Sequence, residues 1–449
     1  MTLDVNNKLA RTFGWPTAAA VVVANMIGVG AFTTSGFIAR DTGSPLLLLA
    51  LWIAGGMIAL AGALAYAELG AALPHAGGEY VYLREAYGPC IAYLSGWTSF
   101  FAGFSGALAA ALLGFAGYCS VLAPRSAALD PRLLAILTLW LLTVAHLAGT
   151  SLGGKLQSIL SASTVTLIVG LVAAGFTIGH GSAAHFLSRA PARGHLAVSL
   201  MYVLYAYSGW NSAGYLAGEI VEPARNLPRA LIWGTVCVSV LYIALTALYV
   251  WAMPISAMSG VLPIAQKAAA LALGSKPSYL VAALIAVALL SSAGAIMMAG
   301  PRIYFAMARD GAIPAPLGRT GSGSGPVAAI VLQAVWASVL IGVFGVFEQV
   351  VIYVGFAITV FSAATVAAVV VLRVRRPAMP RPFRMPACPW LATIYVATSL
   401  CIAAYTAVSR PVETFLGLIT VAGGLPIYWL MSRKPKGASG FARIRYSDH

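Results

Sequence analysis

A chain of 449 residues in which 60% are hydrophobic and only 9% are charged lacks the roughly 25% of charged residues that keep a soluble surface hydrated. It reads as a polytopic membrane protein, one lipid-embedded domain over 1–449. Disorder, a disulfide scaffold and a coiled coil are excluded, and despite a net charge of +15 no segment is long and polar enough to offer nucleic acid a basic face.

The N-terminal MTLDVNNKLARTFGWP leads into an apolar run that outlasts a signal h-region and has no small-residue cleavage site, so no segment is expected to be removed. About 20 apolar residues cross a bilayer as a helix. With breaks placed at Pro, Gly and charge clusters, spans are expected near 15–40, 45–73, 89–119, 131–149, 152–179, 195–221, 228–252, 279–308, 325–345, 348–372, 387–409 and 413–432. The runs are continuously apolar rather than alternating, and lipid offers the backbone no partners, so twelve transmembrane helices are expected and a barrel is not.

Loop charge sets the orientation. With the N-terminus inside, nineteen of the 27 Lys and Arg fall on inside segments, among them Lys8, Arg84, Arg225, Arg373 and Lys434. The other eight, Arg40, Arg125, Arg132, Arg189, Arg193, Lys267, Lys276 and Arg410, fall outside. All loops are short, so both termini are expected in the cytoplasm. The basic balance reports topology first and contact with anionic lipid second.

Two spans are interrupted. The first reads TAAAVVVANMIGVGAFTTSGF, with Gly28 and Gly30 in mid-span, although each Gly in a helix costs about 1 kcal/mol relative to Ala. The sixth reads SLMYVLYAYSGWNSAGYLAGE, with Ser208-Gly209 at similar depth. Glycine alone is also a packing device. Matched interruptions point instead to a transport site at the midplane, if spans one to five and six to ten are repeats of opposite orientation. A break presents free N–H groups on one side and free carbonyls on the other. A zwitterionic α-amino acid fits such a pair, with no buried Asp or Arg needed.

Other chemistry finds little support. A membrane hydrolase needs a nucleophile with a base, or a metal cluster, within a span. Of the six histidines only His146 lies well inside one; it reads as hydrogen-bonded packing, with a proton-linked role as the minority view. A channel would need a repeated filter or charged ring. Cys90, Cys119, Cys237, Cys388 and Cys401 lie scattered without ligand spacing and read as small hydrophobes. No cofactor and no metal is expected.

Four segments, NMIGVGAFTTSGF, ELGAALPHAGGEYVYLREAYGP, YSGWNSAGYLAGEIVEPARNLPRAL and RIYFAMARDGAIP, resemble the amino acid–polyamine–organocation superfamily, and within it bacterial relatives of the L-type amino acid transporters. The resemblance implies a five-plus-five inverted repeat, with repeat one at about 15–179, repeat two at about 195–372 and helices 11 and 12 at about 387–432, and implies uptake or exchange of amino acids by alternating access. It places the substrate carboxylate on the N–H groups of Gly28, Val29 and Gly30, next to Ile27, and the ammonium on carbonyls near Tyr205, Ala206 and Tyr207. Ser208, Gly209, Trp210 and Asn211 belong to the same break; Tyr205 matches an aromatic that closes over substrate, and Asn211 a position polar in several relatives. Ala102, Gly103, Ala107 and Ile296 are placed beside the substrate side chain.

Two departures stand out. The usual Gly-Ser-Gly-Ile-Phe is Gly28-Val29-Gly30-Ala31-Phe32 here, and Thr164, aligned through Gln157, stands where several relatives hold Lys. Lysine-borne coupling is therefore not expected; Lys155 reads as a cytoplasmic anchor, and Thr164, Ser291 and Ser292 form a candidate ion site beside span-one carbonyls. Glu68 is expected to pair with Arg84, Arg225 or Arg229 or to be hydrated, and Glu219, after the sixth-span break, to gate or to form an ion pair. The loop between Pro124 and Pro131 lacks the cysteine by which animal L-type members attach a glycoprotein, so no heavy-chain partner is expected. Substrates are expected to be neutral; a cationic amino acid or polyamine held by aromatic faces, and a transport-inactive sensor, stay open.

Overall fold

The computed structural model describes residues 11, 13–75, 77–122, 130–147, 153–309, 311–314, 317 and 327–432; within its helices the side chains of 153–161, 298, 299, 302, 305, 306 and 309 fall outside the description. The loop at 124–129, the side chain of Lys155 and the basic C-terminal tail therefore lie outside the described residues. Regular structure among those residues is helical, apart from one isolated parallel bridge between Phe13 and Ile220.

The first span is two helices, α1 (Trp15–Met26) and α2 (Val29–Thr42), bent by 43° where Ile27 and Gly28 leave helical geometry. Span two is α3 (Pro45–Ala72), opened by Pro at its first turn and by the Ser44 hydroxyl, which accepts from Leu47 N–H at 3.5 Å. A nine-residue helix, α4 (Glu79–Tyr87), follows in what the sequence presents as a loop. Span three runs as α5 (Pro89–Thr98), a π-helical turn over Ser99–Phe104, and α6 (Ser105–Leu122). Then come α7 (Pro131–Leu147) and α8 (Gly153–Thr177).

Span six departs from expectation. α9 (Leu196–Tyr207) is regular, but past Ser208-Gly209 only a single α turn, α10 (Ser212–Tyr215), and a 3-10 turn at Ala217–Glu219 remain. Helix α11 (Pro223–Ala252) begins before the expected start at 228, because Pro223 occupies its first turn and Pro228 is carried inside. Between spans seven and eight lie two unanticipated helices, α12 (Ile255–Met258) and α13 (Ile264–Leu273). The chain closes with α14 (Ser275–Arg309), α15 (Val327–Phe344), α16 (Phe347–Arg375), α17 (Trp390–Ser409) and α18 (Pro411–Ser432).

Among the described residues eight helices are long and apolar enough to cross a membrane, and the bent α1–α2 pair makes nine. The shorter apolar helices α7, Ala162–Thr177 and α9 stand where spans four, five and six are expected. Packing follows a pairwise logic: α3 lies along α11, α6 along α14 and α7 along α15, contacts between members that the expected two sets of five would make equivalent. α17 and α18 pack on α16 from outside those sets.

Ionic residues gather at two opposite ends. At one, Glu348 at the start of α16 accepts from both terminal nitrogens of Arg40 at 3.0 Å, from Arg410 at 2.7 Å and from the Tyr202 hydroxyl at 2.7 Å. At the other, Glu68 takes Arg373 at 2.6 and 2.9 Å, the Met385 N–H at 2.7 Å and Arg381 at 3.5 Å. This corrects the expected partners of Glu68: a guanidinium leaving α16 reaches it, and not one from α4 or α11. Residues assigned to one side by loop charge do come together, Arg40 with Arg410, and Arg373 with Arg381.

Candidate functional site

The two breaks touch. Gly209 has φ +98°, a conformation open to glycine, and a Cβ there would sit 2.6 Å from the Asn25 carbonyl oxygen. A Cβ on Gly30 would sit 2.6 Å from both Cα and Cβ of Ala206. These glycines let the main chains of spans one and six meet in mid-bundle, a packing requirement for Gly30 that accompanies its expected place among the carboxylate donors.

The local backbone accounts for the free polar groups. α1 ends with the Ile27 N–H bonded to Val23 O, and α2 starts from an extended Gly28, so the N–H groups of Val29, Gly30 and Ala31 have no acceptor in their own helix. On the other side Ser208 N–H turns back to Tyr205 O, which leaves the carbonyls of Leu204 and Tyr207 without a backbone donor. Partial positive and partial negative ends are thus brought side by side.

A residue that sequence reading missed holds them there. The buried hydroxyl of Tyr242, on α11, lies 2.5 Å from Met26 O and 3.2 Å from Ala206 O. One phenol therefore serves both breaks. Seven residues on, Tyr249 donates to Ala31 O at 3.3 Å, and Tyr118 of α6 donates to Phe32 O at 2.6 Å. The available signal was the pair of tyrosines two turns apart on one face of span seven.

The remaining expected residues sort by geometry. Tyr205, Tyr207, Ser208 and Trp210 line a cavity of about 30 Å³, room for a water or two, closed by Thr359 and Ser362 of α16 and Tyr395 of α17. The Tyr207 hydroxyl points away from the breaks, donating to Trp52 O at 3.0 Å, and Trp210 packs edge-on against Tyr66 with centroids 4.7 Å apart. Asn211 is half-buried, its carbonyl taking the Gly214 N–H at 2.9 Å.

In span three the π turn carries Ala102 and Gly103. It frees the Phe101 carbonyl, which the Trp336 indole takes at 2.8 Å. Gly103 and Ala107, one turn apart, keep partial exposure, and a Cβ at Gly103 would meet nothing nearer than 4.0 Å. Ala102 is fully buried, so its side chain faces packed protein. Ile296 is half-buried on α14, its carbonyl 3.4 Å from Gln333 Nε2.

Around the candidate ion site, the Ser292 hydroxyl lies 3.4 Å from where a Gly28 Cβ would be, and Thr164 and Ser291 are buried. His146 takes the packing role: Nδ1 lies 2.8 Å from Leu142 O, and the ring sits beside Gly294. Glu219 is half-buried, and among the described residues its side chain makes no ion pair; its carbonyl accepts the Phe13 N–H at 3.0 Å, while Val221 N–H returns to Phe13 O at 2.9 Å. The five cysteines are free.

Residues 13–427 match the family described as amino acid permease. The human large neutral amino acids transporter small subunit 2 is 28% identical, over 97% of this chain and 84% of its own. The mouse Asc-type amino acid transporter 1 is 26% identical, over 94% of this chain and 81% of its own. The mouse b(0,+)-type amino acid transporter 1 is also 26% identical, over 94% and 88%. With the abutting breaks and the apolar helices, this match identifies the chain as a multi-pass membrane transporter belonging to the amino acid permease family, within the amino acid–polyamine–organocation superfamily.

Proposed function

We propose that this protein exchanges neutral amino acids by alternating access, with the substrate held between the spans-one and -six breaks. The observation that carries the reading is the contact of the two breaks through Gly209 and Gly30, which sets the free N–H groups of α2 beside the open carbonyls of α9. The carboxylate takes the N–H groups of Gly28, Val29 and Gly30, and the ammonium the carbonyls near Tyr205, Ala206 and Tyr207. Gly103, Ala107 and Ile296 offer the side chain a small apolar surround, and the relatives named for large neutral amino acids favour the same class.

The arrangement proposed is twelve spans in two inverted sets of five, at about 15–179 and 195–372, with two further helices. Both termini face the cytoplasm of a bacterial inner membrane, supported by the excess of Lys and Arg on one set of loops. No disulfide-linked partner is needed, since none of the five cysteines falls between Pro124 and Pro131. Thr164, Ser291 and Ser292 are the candidate oxygen ligands should a small monovalent cation assist. Tyr205 and the Glu219 turn act as gates on the two sides of the substrate.

The test is counterflow in proteoliposomes of the purified full chain. Labelled leucine should accumulate when the lumen holds unlabelled neutral amino acid and stay near background when the lumen is empty. Strong uptake into empty vesicles driven by a pH gradient alone would overturn exchange, and binding without flux would favour a sensor.

A further inference from the structure

Glu79, in the first turn of α4, is 5% exposed, and its two carboxyl oxygens lie 2.8 Å from the Tyr66 hydroxyl and 3.0 Å from the Ser95 hydroxyl. Both partners are neutral, and among the described residues no cation pairs with it. Burying an unpaired carboxylate costs far more than burying the neutral acid.

The charged groups on the surrounding elements are engaged elsewhere. On α3, Glu68 is taken by Arg373 of α16; on α4 itself, Glu85 is taken by Arg376 at 2.7 Å and by Arg84 at 3.8 Å; Arg375 of α16 donates to Ala86 O. The titratable groups facing Glu79 are phenols: Tyr66 of α3, Tyr215 of α10 and Tyr395 of α17. α5 contributes Ser95 and no charge. Burial accordingly holds the Glu79 carboxyl above the ordinary carboxylate range, against the two hydroxyl bonds that pull it down.

The site is mechanically joined to the sixth-span break. Tyr66, which donates to Glu79, presses its ring on Trp210, the residue after Gly209. The turn before Glu79 leans on α10: a Cβ at Gly78 would lie 3.1 to 3.3 Å from Tyr215 and Gly214. Any parting of α10 from α4 admits water to the carboxyl.

We infer that Glu79 is a proton-binding site that latches the α4–α10 contact, protonated while the contact is closed and releasing its proton to water on the same face when it opens. The proposed topology makes that face cytoplasmic. The linkage has a definite sign: a carboxyl whose pKa is raised in the closed state favours that state as pH falls and disfavours it as pH rises through the raised value. Where opening limits turnover, the rate then climbs with pH, by up to about tenfold per unit.

The experiment is leucine exchange in proteoliposomes with equal pH on both sides, together with an acid-minus-alkaline infrared difference spectrum of the substrate-free full-length protein. Wild type should speed up as pH rises and show a protonated-carboxyl band in the spectrum. Glu79→Gln should be flat, held at the acid-limb rate of wild type, and lack that band. Ser95→Ala, which removes a donor to the ionised form, should move the profile to higher pH, and Glu79→Asp should keep a slope. A Glu79→Gln protein with the wild-type slope, or an unchanged carboxyl band, overturns the proposal; if that variant does not fold, an unmoved profile in Ser95→Ala does so. The infrared signal needs no substrate, so it fails independently of the transport reading.

Discussion

The Cα of Gly209 lies so close to the Asn25 carbonyl oxygen that a methyl group at 209 would stand 2.6 Å from it. Gly209→Ala therefore meets both a steric overlap and a φ of +98° that alanine resists, the backbone alone costing about 1–3 kcal/mol. Exchange should fall below a tenth of wild type, and the Tm in detergent should drop by several degrees. Gly423→Ala, in a helix where an added methyl meets nothing within 4 Å, should change neither. Scintillation counting and differential scanning fluorimetry read the two effects.

Tyr242→Phe removes one hydroxyl and leaves the Met26 and Ala206 carbonyls short of a donor at once. An unsatisfied buried group costs about 1–3 kcal/mol. Because the phenol positions both breaks, the loss should fall on apparent substrate affinity, raising KM about five- to tenfold or more, while Tyr118→Phe, which loses its bond to Phe32 O on α2, should act chiefly on stability. Equal affinities for Tyr242→Phe and wild type would show that the bridge does not organise the site.

Much of this was legible beforehand. Gly28, Gly30 and Gly209 mark breaks because glycine pairs are costly in a membrane helix, and the alternation of apolar runs with basic loops placed nearly every span. What escaped notice was lateral: which side chain from a neighbouring helix completes a broken backbone. Nothing local to span seven says that Tyr242 faces two carbonyls, nor that Glu79, in a polar-looking loop, ends up 5% exposed. The collapse of span six after Tyr215 was hidden for a different reason: Gly214 and Gly218 weaken SAGYLAGE as a helix, yet glycine is frequent in membrane helices, so composition did not say where the helix would end. Gly30 was legible as special, yet its contact with Ala206 required the fold.

Substrate choice follows from the side-chain surround. In the proposed site Gly103, Ala107 and Ile296 bring no cation, so an acidic substrate would bury its second carboxylate uncompensated, a cost of several kcal/mol, or discrimination above about 100-fold. Competition with labelled leucine should therefore rank leucine, alanine and phenylalanine far ahead of glutamate and aspartate. Glutamate as the strongest competitor would place the side-chain pocket elsewhere.

Glu348→Gln strips the counter-charge from Arg40 and Arg410 together. The network joins α2, α9 and α16 to the chain entering α18, and its hydrogen bonds to charged groups contribute about 1.5–3 kcal/mol each. Thermal stability should fall by several degrees. Added salt should reproduce only part of the effect, because the Glu348 carboxylate is sheltered while the Arg40 and Arg410 guanidiniums keep partial exposure. Unfolding curves of wild type and variant at low and high ionic strength check both statements.

The π turn at Ser99–Phe104 carries one residue more than an α turn would need. Deleting a single residue there would let span three wind as an ordinary helix with the segments on either side still facing as they do now, because the π turn already absorbs the extra residue. The Phe101 carbonyl would fold back into the helix, leaving the Trp336 indole without its acceptor. A further residue inserted in the regular helix beyond that turn would instead rotate everything after it by about 100°, so the lining of this transporter tolerates the loss of one codon at the turn far better than the gain of one after it.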